Sequence, residues 1–176
     1  MAAGSNFSII VTGQQGSGKS MFAKRTALLY PKKVLYIAPD DNEDLFDDVP
    51  DLSERKQSKS RIMKTVWDDS LKNGLLKFTD GLLIFDDAPA YWNHWDRFWR
   101  HLVTRKRHFN RDIIFIMHTP FDFPPKLLPL NNGIYIFPFI DTEKRMKGRL
   151  PNGEDFDRAW SEVNRTGKPL YFSIFR

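Results

Sequence analysis

The chain has no cysteine among its 176 residues, which excludes disulfides and thiolate metal centres and suits a reducing interior. It has no apolar run approaching roughly 18 residues, the length a membrane-crossing helix requires. A basic segment followed by an apolar one is also missing at the N-terminus, so the expectation is a soluble protein that is not secreted. Internal repeats and low-complexity linkers are absent, and the length suits one domain spanning 1–176 with a sizeable core. The acidic stretch from Asp40 to Asp51 carries seven carboxylates, but it lacks a calcium loop's sixth-position glycine (Leu45 stands there) and its twelfth-position glutamate (Asp51). A solvated loop is the expectation. His94, His101 and His108 recur every seven residues, which on a helix separates successive rings by roughly 10 Å and excludes one shared metal ion.

What the chain does have is a phosphate-cradling loop, Gly13, Gln14, Gln15, Gly16, Ser17, Gly18, Lys19 and Ser20. Before it, Phe7 to Thr12 is apolar and β-branched enough for a buried strand; after it, Met21 to Tyr30 reads as a helix stopped by Pro31. Backbone N–H groups can enclose a triphosphate only where side chains do not intrude, hence the glycines. Lys19 is expected to reach the β- and γ-phosphates and Ser20 to offer its hydroxyl to Mg²⁺, with Met21 completing the nucleotide-binding stretch at the helix N-terminus. A glycine-rich strand-to-helix turn needs neither Lys19 nor Ser20.

Asp86 follows Lys19 by 67 residues, at the end of the apolar run Gly81 to Phe85, which reads as a buried parallel strand. Ligands of open α/β sheets sit at the carboxyl ends of the strands, so Asp86 is expected to face the loop and bind Mg²⁺ through water. Asp87 is the expected base for an attacking water, or else a cap for the next helix.

The strands and helices alternate: strands near 7–12, 33–38, 81–86, 112–118 and 133–138, and helices near 18–29, 54–73 and 91–104. This order predicts an α/β fold of the P-loop NTPase type, a mainly parallel sheet with helices on both faces. A short helix over 154–164 and a last strand over 169–175 complete it, with 120–125 a stiff loop. Trp92, Trp95, Trp99 and Leu102 share one face of the 91–104 helix and read as core or subunit contact, with nucleic-acid stacking the alternative.

Net charge is +5, a mild pointer to a polyanionic partner. Arg105 and Arg107 read as a solvated basic turn, a DNA-phosphate contact or an arginine finger donated to a neighbour's nucleotide. His118, at the end of the strand Ile113 to Met117, is a candidate partner for phosphate or water, or a histidine satisfied by backbone. Lys144, Arg145, Lys147 and Arg149 form a basic stretch that could touch DNA phosphates without reading sequence, or a solvated turn.

The order of these motifs, from Gly13–Ser20 through Leu82–Ala88 to Arg105, Arg107 and Asp112–Pro120, resembles the HerA-FtsK superfamily of DNA-translocating ATPases. Within it, the small size is similar to the genome-packaging ATPases of membrane-containing and archaeal viruses. The resemblance implies ATP and Mg²⁺ as cofactors and a homo-oligomeric ring, commonly a hexamer, that drives double-stranded DNA through its pore. It also implies a site of action in the host cytoplasm or at the virion vertex, with a capsid or portal-vertex protein as the docking partner. Asp87 stands where the family often has glutamate, and His118 where many members have glutamine. Two alternatives stay open: a small P-loop kinase acting on a nucleotide or metabolite, and an assembly ATPase related to the zonula-occludens-toxin-like proteins of filamentous phages, whose usual transmembrane segment is missing here. A nucleotide-dependent assembly module without turnover could dispense with Asp87.

Overall fold

The computed structural model describes residues 6–40, 60–92, 97–140 and 146–174. The first unit is β1 (Ser8–Thr12), the phosphate loop and α1 (Lys19–Leu29), then β2 (Lys33–Ala38) and β3 (Ile62–Val66). There follow α2 (Leu71–Lys77), β4 (Gly81–Phe85), a single 3-10 turn over Ala88–Ala90, α3 (Arg97–Thr104) and β5 (Arg111–Met117). The chain closes with β6 (Gly133–Ile136), α4 (Gly153–Thr166) and β7 (Leu170–Ser173).

The seven strands form one sheet in the order β3-β2-β4-β5-β1-β6-β7. Every neighbouring pair is parallel except β6 and β7, which are antiparallel. Strands β1, β4 and β5 are buried along their whole length, which is why they read as continuous apolar runs rather than alternating ones. Alternate residues feed opposite faces. Ile9, Val11, Leu82, Ile84, Ile114 and Ile116 pack beneath Ala23 and Ala27 of α1. Ile10, Leu83, Phe85, Ile113 and Phe115 face the other way, against Leu75 of α2, Trp99 and Leu102 of α3, and Phe156 and Trp160 of α4. Helices therefore cover both faces, as the alternation predicts.

The expected helix over 54–73 is corrected. Residues 62–66 are β3, paired in parallel with β2 from Val34↔Ile62 to Ala38↔Val66, and α2 begins only at Leu71. Ile62, Thr65 and Val66 are β-branched, and the open edge of β2 offers them a full backbone ladder; that pairing overrides a weak helical period. Residues 41–59, including Asp41 to Asp51, lie outside the described residues, as do His94 and Trp95 of the expected 91–104 helix. What is described of that segment is Tyr91 and Trp92, which follow the 3-10 turn and are not helical, and α3 from Arg97; the expected helix is corrected at its start, where the turn at Asp87 to Ala90 redirects the chain. Trp92, Trp99 and Leu102 are core, while His101 and His108 are exposed. The stretch after Thr119 is a 3-10 turn, Pro120–Asp122, with the Thr119 hydroxyl as its cap.

Candidate nucleotide-binding site

The phosphate loop sits on the carboxyl end of β1, tied to both neighbouring strands. Gly13 N–H donates to the His118 carbonyl after β5 (3.2 Å), and Gln14 N–H donates to the Pro138 carbonyl after β6 (2.9 Å). Gly13 is required sterically: a Cβ there would lie 2.5 Å from Phe137 Cβ and 2.6 Å from Ser17 Oγ. Gly18 is required conformationally, since it is the N-cap of α1 at φ 99°. Glycine in that place also brings no capping side chain, and the first turn of α1 contains no acidic residue. The N–H groups at the start of α1 thus keep their capacity for an outside anion.

Lys19 opens α1 and is buried. Its Nζ donates to the carbonyls of Gly13 (2.6 Å) and Gln14 (2.9 Å), leaving one of three N–H donors for a phosphate. Burial pushes its pKa below the usual lysine value, and the charges of Asp86 and Asp87 oppose that shift. Ser20 and Met21 follow on the first turn, with Met21 exposed.

The strand order brings the carboxylates opposite this loop. Strand β5 lies between β1 and β4, so the ends of β1 and β4 are two strand spacings apart, roughly 10 Å, which is room for phosphate and water. Asp86 continues the parity of Leu82 and Ile84, the residues of β4 that face α1. It is 6% exposed; its Oδ2 accepts from the Tyr36 hydroxyl and its Oδ1 from Asp87 N–H (2.9 Å). Burial raises its pKa, against the lowering effect of those two hydrogen bonds. Asp87 turns the chain sharply, at φ 41° in the left-handed region that aspartate tolerates better than most residues. Its Oδ1 lies 3.9 Å from His118 Nε2, with both side chains about half exposed.

Lys19, Ser20, Asp86, Asp87, His118 and Asp40 line one cleft of about 490 Å³ between the loop and the ends of β4 and β5. That volume lies within the range of ordinary small-ligand sites. For a metal, the cleft offers hard oxygen donors, the Ser20 hydroxyl and the Asp86 carboxylate. Among the described residues no three carboxylate or imidazole groups gather around one point. This suits Mg²⁺, which is commonly held by one or two protein oxygens together with the phosphates of its nucleotide, and it fits no all-protein metal cage.

Arg105 and Arg107 are not brought to this cleft. They are exposed in the turn between α3 and β5, at the amino end of the sheet. The seven residues of β5 separate that turn from the phosphate loop by roughly 20 Å, beyond the reach of an arginine in the same chain. Of the basic stretch, Lys144 and Arg145 lie outside the described residues. Lys147 pairs with Glu154 at 2.8 Å, and Arg149 lies over the Phe121 ring at 5.3 Å.

Sequence reasoning missed Tyr36 and Tyr91, whose hydroxyls bond the Asp86 carboxylate and the Asp86 carbonyl (2.9 Å) respectively. The only signal for Tyr36 was a hydroxyl inside the otherwise apolar strand Val34–Ala38. It missed Phe137 as well, the floor beneath Gly13.

No family model matches the chain, and no curated protein matches it in sequence. Its fold is similar to that of solved structures. The DNA-packaging ATPase B204 of Sulfolobus turreted icosahedral virus superposes with a TM-score of 0.68 over 96% of this chain and 93% of its own, at 15% identity. The genome-packaging NTPase B204 of Sulfolobus turreted icosahedral virus 2, in complex with ATP-gammaS, gives 0.64 over 94% and 96%, at 13% identity. A KaiC-like protein from Pyrococcus horikoshii gives 0.50 over 74% and 70%, at 14% identity. The chain thus has the mainly parallel, RecA-like fold of P-loop NTPases, and over nearly its full length it is similar in fold to viral genome-packaging NTPases.

Proposed function

We propose that this chain is an ATP-hydrolysing subunit of a motor that moves double-stranded DNA, packaging a viral genome into a capsid. The observation that carries the reading is the convergence of Lys19, Asp86, Asp87 and His118 on one cleft, with an extra strand between the loop and the carboxylates. The end-to-end likeness in fold to packaging NTPases supports the same reading.

In this account the N–H groups of the loop and of the first turn of α1 hold the β- and γ-phosphates, and Lys19 offers its remaining donor to them. Ser20 and Asp86 would hold Mg²⁺, which when bound neutralises charge on the β- and γ-oxygens. Asp87 orients water and accepts its proton as the water oxygen bonds to the γ-phosphorus. The bond from that phosphorus to the bridging oxygen breaks, and ADP leaves with the bond's electrons. His118, beside Asp87, hydrogen-bonds the water or the departing phosphate. The basic turn of a neighbouring subunit, through Arg105 or Arg107, supplies positive charge to the transition state, because the chain's own turn lies too far away. Such a shared site calls for a homo-oligomeric ring, with the outer side of α1, where Met21, Leu28 and Leu29 are exposed, among its subunit-contact surfaces. Lys147 and Arg149, with Lys144 and Arg145, are the proposed contacts to DNA phosphates. Among the described residues no helix is long and apolar enough to cross a membrane.

The test is phosphate release from ATP with and without double-stranded DNA, beside Lys19→Ala. DNA-stimulated turnover that Lys19→Ala abolishes is expected. Turnover indifferent to DNA, with phosphate passing to a small acceptor, would favour a kinase instead.

A further inference from the structure

Tyr36 is 1% exposed in β2, a strand whose neighbouring side chains Val34, Leu35, Ile37 and Ala38 are all apolar. Phenylalanine would fill the same space. What needs a reason is the hydroxyl, because a buried hydroxyl opposes folding unless it is hydrogen-bonded. Its partner is Asp86 Oδ2. Pairing of β2 with β4 sets Tyr36 opposite Ile84, on the face that β4 turns toward α1, so the ring lies beneath the carboxylate while the cleft lies above it.

The rest of Asp86 is pinned as well. Asp87 N–H donates to Oδ1 (2.9 Å), Asp86 N–H donates to the Ile37 carbonyl (2.9 Å), and the Tyr91 hydroxyl donates to the Asp86 carbonyl (2.9 Å). Each carboxylate oxygen has one donor from the protein and about one lone-pair site remaining. Both carboxylate oxygens are thus held by protein donors, and Asp86 lines the same cleft as Lys19 and Ser20.

We propose that Tyr36 is a positioning residue for metal-nucleotide binding: its hydroxyl holds Asp86 in the orientation that receives the hydrated Mg²⁺ of the nucleotide. The inference rests on the nucleotide-binding reading above. Tyr36 does not line the cleft, so it acts through Asp86 and not on the nucleotide.

The experiment measures binding of a fluorescent ADP analogue to the full chain, with Mg²⁺ and with EDTA. The proteins are the wild type, Tyr36→Phe, Asp86→Asn, the double variant and Lys19→Ala. Tyr36→Phe is expected to bind in EDTA within about twofold of the wild type and to lose about tenfold in affinity with Mg²⁺, the scale of one hydrogen bond to a charged group. In the Asp86→Asn background it is expected to add no further loss, since the Asp86 carboxylate that the tyrosine orients is then gone. Equal losses with and without Mg²⁺ would mean a purely structural role and would overturn the inference, as would unchanged binding or losses that simply add. If the wild type and Lys19→Ala bind the probe alike under both conditions, the nucleotide-site reading itself fails and the inference falls with it.

Discussion

At the scale of single residues, the site carries a conflict between stability and function, and Asp86 is where it can be measured. Burial holds its pKa above the ordinary carboxylate value, so the folded chain binds a proton there more tightly than the unfolded chain does. Its ionisation opposes folding fully above the folded pKa, and the penalty fades as pH falls through that value toward the unfolded 3.8. Asp86→Asn is therefore expected to raise the thermal midpoint of the nucleotide-free protein at pH 7 to 8, on the order of 2–4 °C per kcal/mol relieved. The gain should shrink as the pH is lowered toward 4, which a series of melts would record. Asp87 is half exposed and open to water. Asp87→Asn is expected to lower kcat by about 10²–10⁴-fold while nucleotide affinity stays within a factor of about two. A turnover number unchanged in steady-state assays would remove Asp87 from the base role. That Lys19, Ser20, Asp86 and Asp87 would share one cleft was legible in the sequence, because the loop follows one apolar strand and the carboxylates another, and both lie at strand carboxyl ends. Tyr36 and Tyr91 were not, because their roles come from strand pairing and a turn that bring them to Asp86 from elsewhere in the chain.

At the scale of elements, strands β1, β4 and β5 were legible because burial on both faces leaves a continuous apolar run, and α1 because the loop and Pro31 bracket it. Strand β3 was not, because its partner is the edge of β2 and no local pattern records that pairing. The loop's dependence on its neighbours gives a sharp test. Gly13→Ala would drive a Cβ into Phe137 and Ser17, so the loop must shift, and nucleotide binding is expected to fall by at least an order of magnitude while the sheet still folds. Calorimetric titration with far-ultraviolet circular dichroism checks both halves. On the opposite face the Trp99 ring stacks on Trp67 (5.3 Å) and meets Phe85 edge-on (5.3 Å). Trp99→Ala is expected to destabilise the fold by about 3–5 kcal/mol, a large share of a domain's net stability, as read by denaturant unfolding.

At the scale of the whole molecule, the sheet separates the candidate nucleotide cleft from the exposed basic turn. The nucleotide cleft lies at the carboxyl end and the basic turn at the amino end, so a finger role for Arg105 or Arg107 requires a second copy. Lys19→Ala and the double variant Arg105→Ala/Arg107→Ala are each expected to hydrolyse ATP poorly alone. Mixed, they should recover a measurable fraction of wild-type turnover, because some interfaces then pair an intact loop with an intact turn. No recovery in mixtures that demonstrably co-assemble would count against a shared site. This division was only half legible in the sequence: the carboxyl-end placement of the loop and Asp86 was visible, but the place of the Arg105–Arg107 turn at the opposite end was not. The central claim, that hydrolysis moves the chain along double-stranded DNA, is tested most directly by displacement of a labelled third strand from a DNA triplex. ATP-dependent displacement by the wild type and none by Lys19→Ala is the predicted result; brisk ATP turnover that leaves the triplex intact would contradict it.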